Sequence, residues 1–156
     1  AVNPVTGASS PLQTNAFGGS INWQIDPKLS LGGWFGYTNS YIPGESGRVE
    51  TTNYMLYANF PDLFGKGNLG GIYIGQPPKI TSSTLPVGNN LPDFLNTGLG
   101  RPGGQPGTTT HLEAFFRWQV SDNVSITPGV IVILNPGNTP DSEDFAVGVV
   151  RTTFAF

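Results

Sequence analysis

His111 is the only histidine in the chain, and it shares one side of the alternating run HLEAFFRWQV with Glu113 and Arg117. A histidine beside a carboxylate can relay protons, and with a serine it can drive acyl transfer. The serine of the adjoining run, Ser125, falls at a different depth, and no G-x-S-x-G turn exposes a nucleophile. GLGRPG (98–103) matches a dinucleotide fingerprint by its letters, but Pro102 and further glycines follow where a helix is required. Asp141, Glu143 and Asp144 supply the oxygen ligands a hard cation takes, yet one loop of acidic residues reads first as a solvated rim. NVS (123–125) has the form of a glycosylation acceptor in a short turn. Nothing in the sequence requires a cofactor or builds a metal site. The mixed polar run through His111, Glu113, Arg117 and Gln119 reads instead as a surface that handles water and ions.

The composition says what kind of scaffold carries that surface. Charged residues are 11% of the 156, against about 25% in soluble domains, so part of the surface is expected to avoid water. Gly (22) and Pro (14) disfavour helix interiors. A net charge of −3 without basic clusters argues against a nucleic-acid partner. With no cysteine there is neither a disulfide framework nor a thiolate metal site. No stretch reaches the ~18 apolar residues of a membrane helix.

Period-two alternation recurs in segments of roughly the ~9–11 residues that cross a bilayer as tilted strands. In HLEAFFRWQV, Leu112, Ala114, Phe116, Trp118 and Val120 oppose His111, Glu113, Phe115, Arg117 and Gln119. In AFGGSINWQI, Phe17, Ile21, Trp23 and Ile25 oppose Ser20, Asn22 and Gln24. LSLGGWFGYT, NYMLYANF, VSITPGVIVIL and the segment from Phe145 behave alike, although Trp34 stands on the polar side of its segment. LGGIYIGQ is ambiguous because its glycines hide the phase. The reading is all-β, with about seven antiparallel strands.

The connections (26–28, 39–48, 61–68, 77–110, 121–123 and 135–144) alternate shorter and longer. A meander collects all the longer ones on one rim, as in outer-membrane barrels with short periplasmic turns and longer outer loops. The last segment, VVRTTFAF, then descends to the periplasmic boundary, where Phe154 and Phe156 suit the interfacial aromatic girdle and an assembly signal. The 77–110 segment is expected either to stay outside or to fold into the pore. Backbone cannot remain unpaired in hydrocarbon, and seven strands are too few for a wide pore. Residues 1–156 therefore read as the C-terminal portion of a larger barrel; several copies sharing one pore, or an unrecognised eighth strand, are the alternatives. The pore-lining set is Asn53, Tyr57, Asn59, His111, Glu113, Arg117, Gln119 and Arg151, with Asn22 and Gln24 beside it. Glu113, Arg117 and Arg151 are placed to form a charge ladder.

EAFFRWQVSDNVSITPGVIVILNP, the closing VRTTFAF and the PDLFGKGNLGGIYIGQPPKIT stretch together resemble the OprB-type carbohydrate-selective porins, especially their cyanobacterial branch. The resemblance implies a 16-stranded transmembrane barrel in outer-membrane lipid. It also implies a trimer of identical chains and passive diffusion of small hydrophilic solutes: ions, small nutrients or sugars. In that branch the barrel follows an S-layer homology domain, which these residues do not include. A competing reading is a secreted β-sandwich carbohydrate-binding module using Trp34 and Tyr41 as sugar platforms. It requires the apolar strand faces to meet in a dry core.

Overall fold

The computed structural model describes residues 11–88, 90 and 100–156. These residues form a single seven-stranded antiparallel sheet whose spatial order is the chain order. The strands are β1 (Gln13–Asp26), β2 (Leu29–Tyr41), β3 (Val49–Pro61), β4 (Leu69–Ser83), β5 (Thr110–Ser121), β6 (Val124–Leu134) and β7 (Phe145–Phe154). At ~3.4 Å per residue and a tilt near 40°, ten strand residues rise roughly 25 Å. Apart from a short 3₁₀ turn at Pro136–Asn138, the described residues contain no helix. No eighth strand occurs among them.

The register shows which side chains share a face. Directly paired residues point the same way, so Trp23, Leu31, Ala58, Ile72, Ala114, Val130 and Gly148 form one continuous apolar row across all seven strands. The next row on the opposite face is Asn22, Gly32, Tyr57, Tyr73, Glu113, Ile131 and Val147. The alternation read in the sequence is thus kept in register through the sheet.

No second layer covers the apolar face. Among the described residues the buried hydrophobic side chains are Ile42 and Leu85, both in connections, whereas Ile21 is 70% exposed, Leu56 58%, Ile72 57% and Val150 72%. A sandwich would have hidden these residues against a facing sheet. The β-sandwich reading is therefore wrong. Trp34 and Tyr41 also point to opposite faces of β2, since strand side chains alternate, and cannot form one platform. The sheet does not close on itself: β1 and β7 each have one paired neighbour.

Turn chemistry fixes one rim. Asp26 Oδ1 accepts the Lys28 amide at 2.6 Å in the first tight turn. In the β3–β4 connection Asp62 Oδ1 accepts the Gly67 amide at 2.7 Å, and Asp62 N donates to Asn68 O. Asp62 and Phe64 both take positive φ there, a conformation that holds Phe64 90% exposed on the rim beside Phe116, 5.9 Å away. Trp23, Phe60, Trp118 and Phe154 end their strands on the same face and rim, which gives the apolar band an aromatic border.

The structure differs from the sequence reading in β4. That strand continues through Pro77 and Pro78 to Ser83, so the long connection begins at 84. A bulge makes this possible: between Tyr54↔Gln76 and Thr52↔Lys79 the two prolines stand against Asn53 alone. Proline has no N–H to donate, and a bulge removes the need for one.

Candidate functional site: the inner face of the sheet

The sheet's polar face is also its more crowded one. Asn53, Tyr57, Asn59, Tyr73, His111, Glu113 and Gln119 are all partly covered, while Leu56, Ile72, Ile74 and Trp118 on the opposite face are open. Side chains converge on the concave side of a curved sheet, so the more crowded polar face is taken as the inner one.

Each residue expected to line a pore lies on this face. Asn53, Tyr57 and Asn59 succeed one another on β3, and His111, Glu113, Arg117 and Gln119 on β5. Arg151 on β7 pairs with Thr127 of β6. His111 Nε2 is 3.2 Å from Glu113 Oε2. Asn59 Oδ1 accepts the Tyr73 hydroxyl at 3.1 Å. Asn53 Oδ1 lies buried without a partner at the foot of the proline bulge, directly over Gly36.

The charged residues are arranged differently from a ladder. Glu113, Arg117 and Arg151 line one cleft of about 300 Å³ with Leu69, Thr127 and Ile131, but no ion pair joins them among the described residues. Arg117 turns toward the short-turn rim and donates to Gly67 O at 3.4 Å. Gln119 is held there as well, its amide donating to Asn68 Oδ1 at 2.9 Å.

Other sequence signals resolve into structural roles. Asp144 Oδ1 accepts the Asn135 amide at 2.8 Å, and no three potential metal-ligating residues converge among the described residues. Ser125 pairs with Gln119 and His111 with Ile133, at opposite ends of the β5–β6 ladder, so they do not meet. Asn123 braces the last strand: its Nδ2 donates to Ala155 O, and Ala155 N donates back to Asn123 O, both at 2.9 Å. Phe154 pairs with Val124 and is 61% exposed, and Phe156 projects beyond the sheet. Residues 91–99, which include Gly98 and Leu99 of GLGRPG, lie outside the described residues.

The described part of the long connection packs at the opposite rim. Gly103 N donates to Ser83 O at 2.9 Å and Gln105 N to Ile80 O at 2.8 Å, so residues 103–105 run back along the end of β4. Asn138 ties this segment to the β6–β7 connection. It exchanges 2.8 Å bonds with Thr109, its Oδ1 accepting the Thr109 amide and its own amide donating to Thr109 Oγ1. Its Nδ2 donates to Pro78 O and Gln105 Oε1 at 3.2 and 3.1 Å.

Sequence reasoning left Tyr73 unplaced because Gly70, Gly71 and Gly75 carry no side chains to show the phase of β4. The register supplies it: Tyr73 stands directly between Tyr57 and Glu113.

Comparison with known proteins agrees with this architecture. The profile of the carbohydrate-selective porin, OprB family, matches residues 2–156. An uncharacterized protein of Synechocystis sp. is 35% identical over 155 residues, covering 86% of this chain and 25% of its own length. An uncharacterized protein of Nostoc sp. is 31% identical over 143 residues, covering 92% of this chain and 22% of its own. The chain thus spans about a quarter of the length of the curated relatives it matches. No solved structure matches it significantly. A single-layer antiparallel sheet, greasy outside and polar inside, with a family profile running nearly end to end, identifies the chain as a member of the OprB carbohydrate-selective porin family.

Proposed function

We propose that this sheet is part of the wall of an outer-membrane channel through which small hydrophilic solutes diffuse passively. One observation carries the reading: large apolar side chains stand open on one face with no second layer over them, while the polar side chains share the other face. Water would penalise that arrangement at about 25 cal/mol per Å² of exposed apolar surface, whereas hydrocarbon imposes no such penalty. Unpaired strand edges are not tolerated in lipid, so this reading requires β1 and β7 to be paired in the complete wall. In the family to which the chain belongs, 16 strands would close the barrel, with residues 1–156 as its C-terminal portion. The short-turn rim, bordered by Trp23, Phe60, Phe64 and Trp118, would face the periplasm, and the rim holding Asn138 and Gln105 would face outward. The polar inner wall needs no enzyme chemistry.

Planar-bilayer recording of the intact native protein tests this. Stepwise conductance increments that grow with electrolyte concentration are expected. A monomer that stays soluble without detergent and never conducts would contradict the proposal. Chemical cross-linking in detergent decides whether the channel assembles as the trimer the family suggests.

A further inference from the structure

Of the seven lysines and arginines in the chain, only Arg117 and Arg151 stand on the inner face of the wall, and they share one row across it. Lys28, Arg48, Lys66 and Arg101 lie in connections, and Lys79 pairs with Thr52 on the opposite face. Arg117 pairs with Leu69, and Arg151 with Thr127. The pairs Phe115↔Gly129 and Trp118↔Ile126 bracket Arg117 opposite that same Thr127. The two guanidinium arms therefore start on either side of one short hydroxyl side chain, from strands about 10 Å apart. Both arms line the cleft of about 300 Å³.

Nothing in the described wall neutralises them. No carboxylate of the described residues lies within 4 Å of either guanidinium. Glu113 stands four residues from Arg117 along β5, roughly 13 Å of extended strand, and its Oε2 meets His111 Nε2 instead. Arg117 gives one Nη2 hydrogen to Gly67 O at 3.4 Å, which leaves the rest of its donor fork free. The neighbouring row on the short-turn side, Gln119, Ser125 and Thr153, is neutral. On the other side, Phe115, Gly129 and Val149 form an apolar border that limits screening by water and focuses the positive field in the cleft.

Wetting a wall takes only neutral polar groups such as Asn53 and Asn59. Two uncompensated guanidiniums across one threonine repel each other, and an anion seated between them turns that repulsion into attraction. Each planar fork matches a pair of oxygens on one group. A group held by two forks from opposite sides needs oxygens directed both ways, which tetrahedral phosphate has and a carboxylate lacks. We propose that Arg117 and Arg151, with the Thr127 hydroxyl between them, form an oxyanion site that binds phosphate, free or carried on a small solute. This inference rests on the channel reading above and names a solute class for its inner wall.

The test is block of chloride current through the intact native protein by inorganic phosphate, with perchlorate as a tetrahedral anion of single charge. Conductance in chloride alone reads the channel, and saturable block reads the site. Phosphate should block at concentrations where perchlorate does not. Arg117→Gln and Arg151→Gln should each raise the half-blocking concentration about ten-fold. Arg151→Lys keeps the charge but loses the fork, so it should weaken block several-fold. Lys66→Gln removes the same charge from the adjoining turn and should leave block unchanged. A conducting channel without phosphate block, with equal block by perchlorate, or with block equally sensitive to Lys66→Gln would overturn the site and leave the channel standing. Calorimetric titration of phosphate into the detergent-solubilised intact protein reads the site without the channel. Heat of binding that vanishes in Arg151→Gln, in a protein that never conducts, would overturn the channel and uphold the site; no heat of binding and no conductance would overturn both.

Discussion

The middle of the wall and the rim of long connections are built from the same chain by opposite rules. In the wall, Ile21, Leu56, Ile72 and Val150 are left open, and no buried hydrophobic side chain exists there among the described residues. At the rim, Ile42 and Leu85 are fully covered, and Asn90, Thr109 and Asn138 are buried with their polar atoms bonded. The rim behaves like a small soluble core, where burial is stable because each polar group has a partner. The wall behaves like a structure whose solvent is hydrocarbon on one side, where the backbone must pair but the side chains need not pack. What changes between the two regions is the solvent.

Substitutions can sharpen or break that comparison. The largest effect is expected from a charge on the open face. Ile72→Arg should cost ~2–4 kcal/mol of folding stability in lipid, while Val147→Arg on the inner face should cost less than ~1 kcal/mol. Urea titration in bilayers or detergent micelles measures both; equal costs would erase the distinction between the faces.

At the rim, Asn138→Ala should cost about 1–3 kcal/mol, because it strips partners from the Thr109 amide, the Pro78 carbonyl and Gln105. Limited proteolysis should then cut within 100–109 while the strands stay protected. Protection lost throughout the sheet would show that rim and wall are one cooperative unit.

Gly71→Ala falls next. Its methyl must displace the Phe115 ring, an overpacking cost of roughly 1–3 kcal/mol that side-chain movement into the open interior should hold near the low end. The same titration reads it.

The smallest effect belongs to Glu113→Gln, which removes one negative charge from a mixed wall. Reversal potentials under a salt gradient should shift slightly toward anions, with stability unchanged. No shift would place Glu113 away from the conducting path.

The wall was largely legible in the sequence and the rim was not. Alternation in HLEAFFRWQV needed only the period of the strand, and the register kept each of those side chains on its expected face. β4 was harder for two reasons. Gly70, Gly71 and Gly75 gave it no phase, so Tyr73 went unplaced; Pro77 and Pro78 looked like loop until the bulge opposite Asn53 took them in. Trp34 looked misplaced on a polar face until Tyr57, Tyr73 and Phe115 appeared beside it. The rim's buried bonds join Pro78, Gln105, Thr109 and Asn138, which come from connections far apart in the chain. No local pattern announces such a meeting.

The chain's three tryptophans offer the most direct test of the two-solvent account, since Trp23 and Trp118 stand on the apolar face and Trp34 on the inner one. Single-tryptophan variants of the intact protein in vesicles would be exposed to brominated acyl chains and to aqueous iodide. Trp23 and Trp118 should be quenched by the bromolipid, and Trp34 by iodide alone. Trp118 shielded from both quenchers, or Trp34 quenched by lipid, would contradict the assignment of hydrocarbon to one face and water to the other.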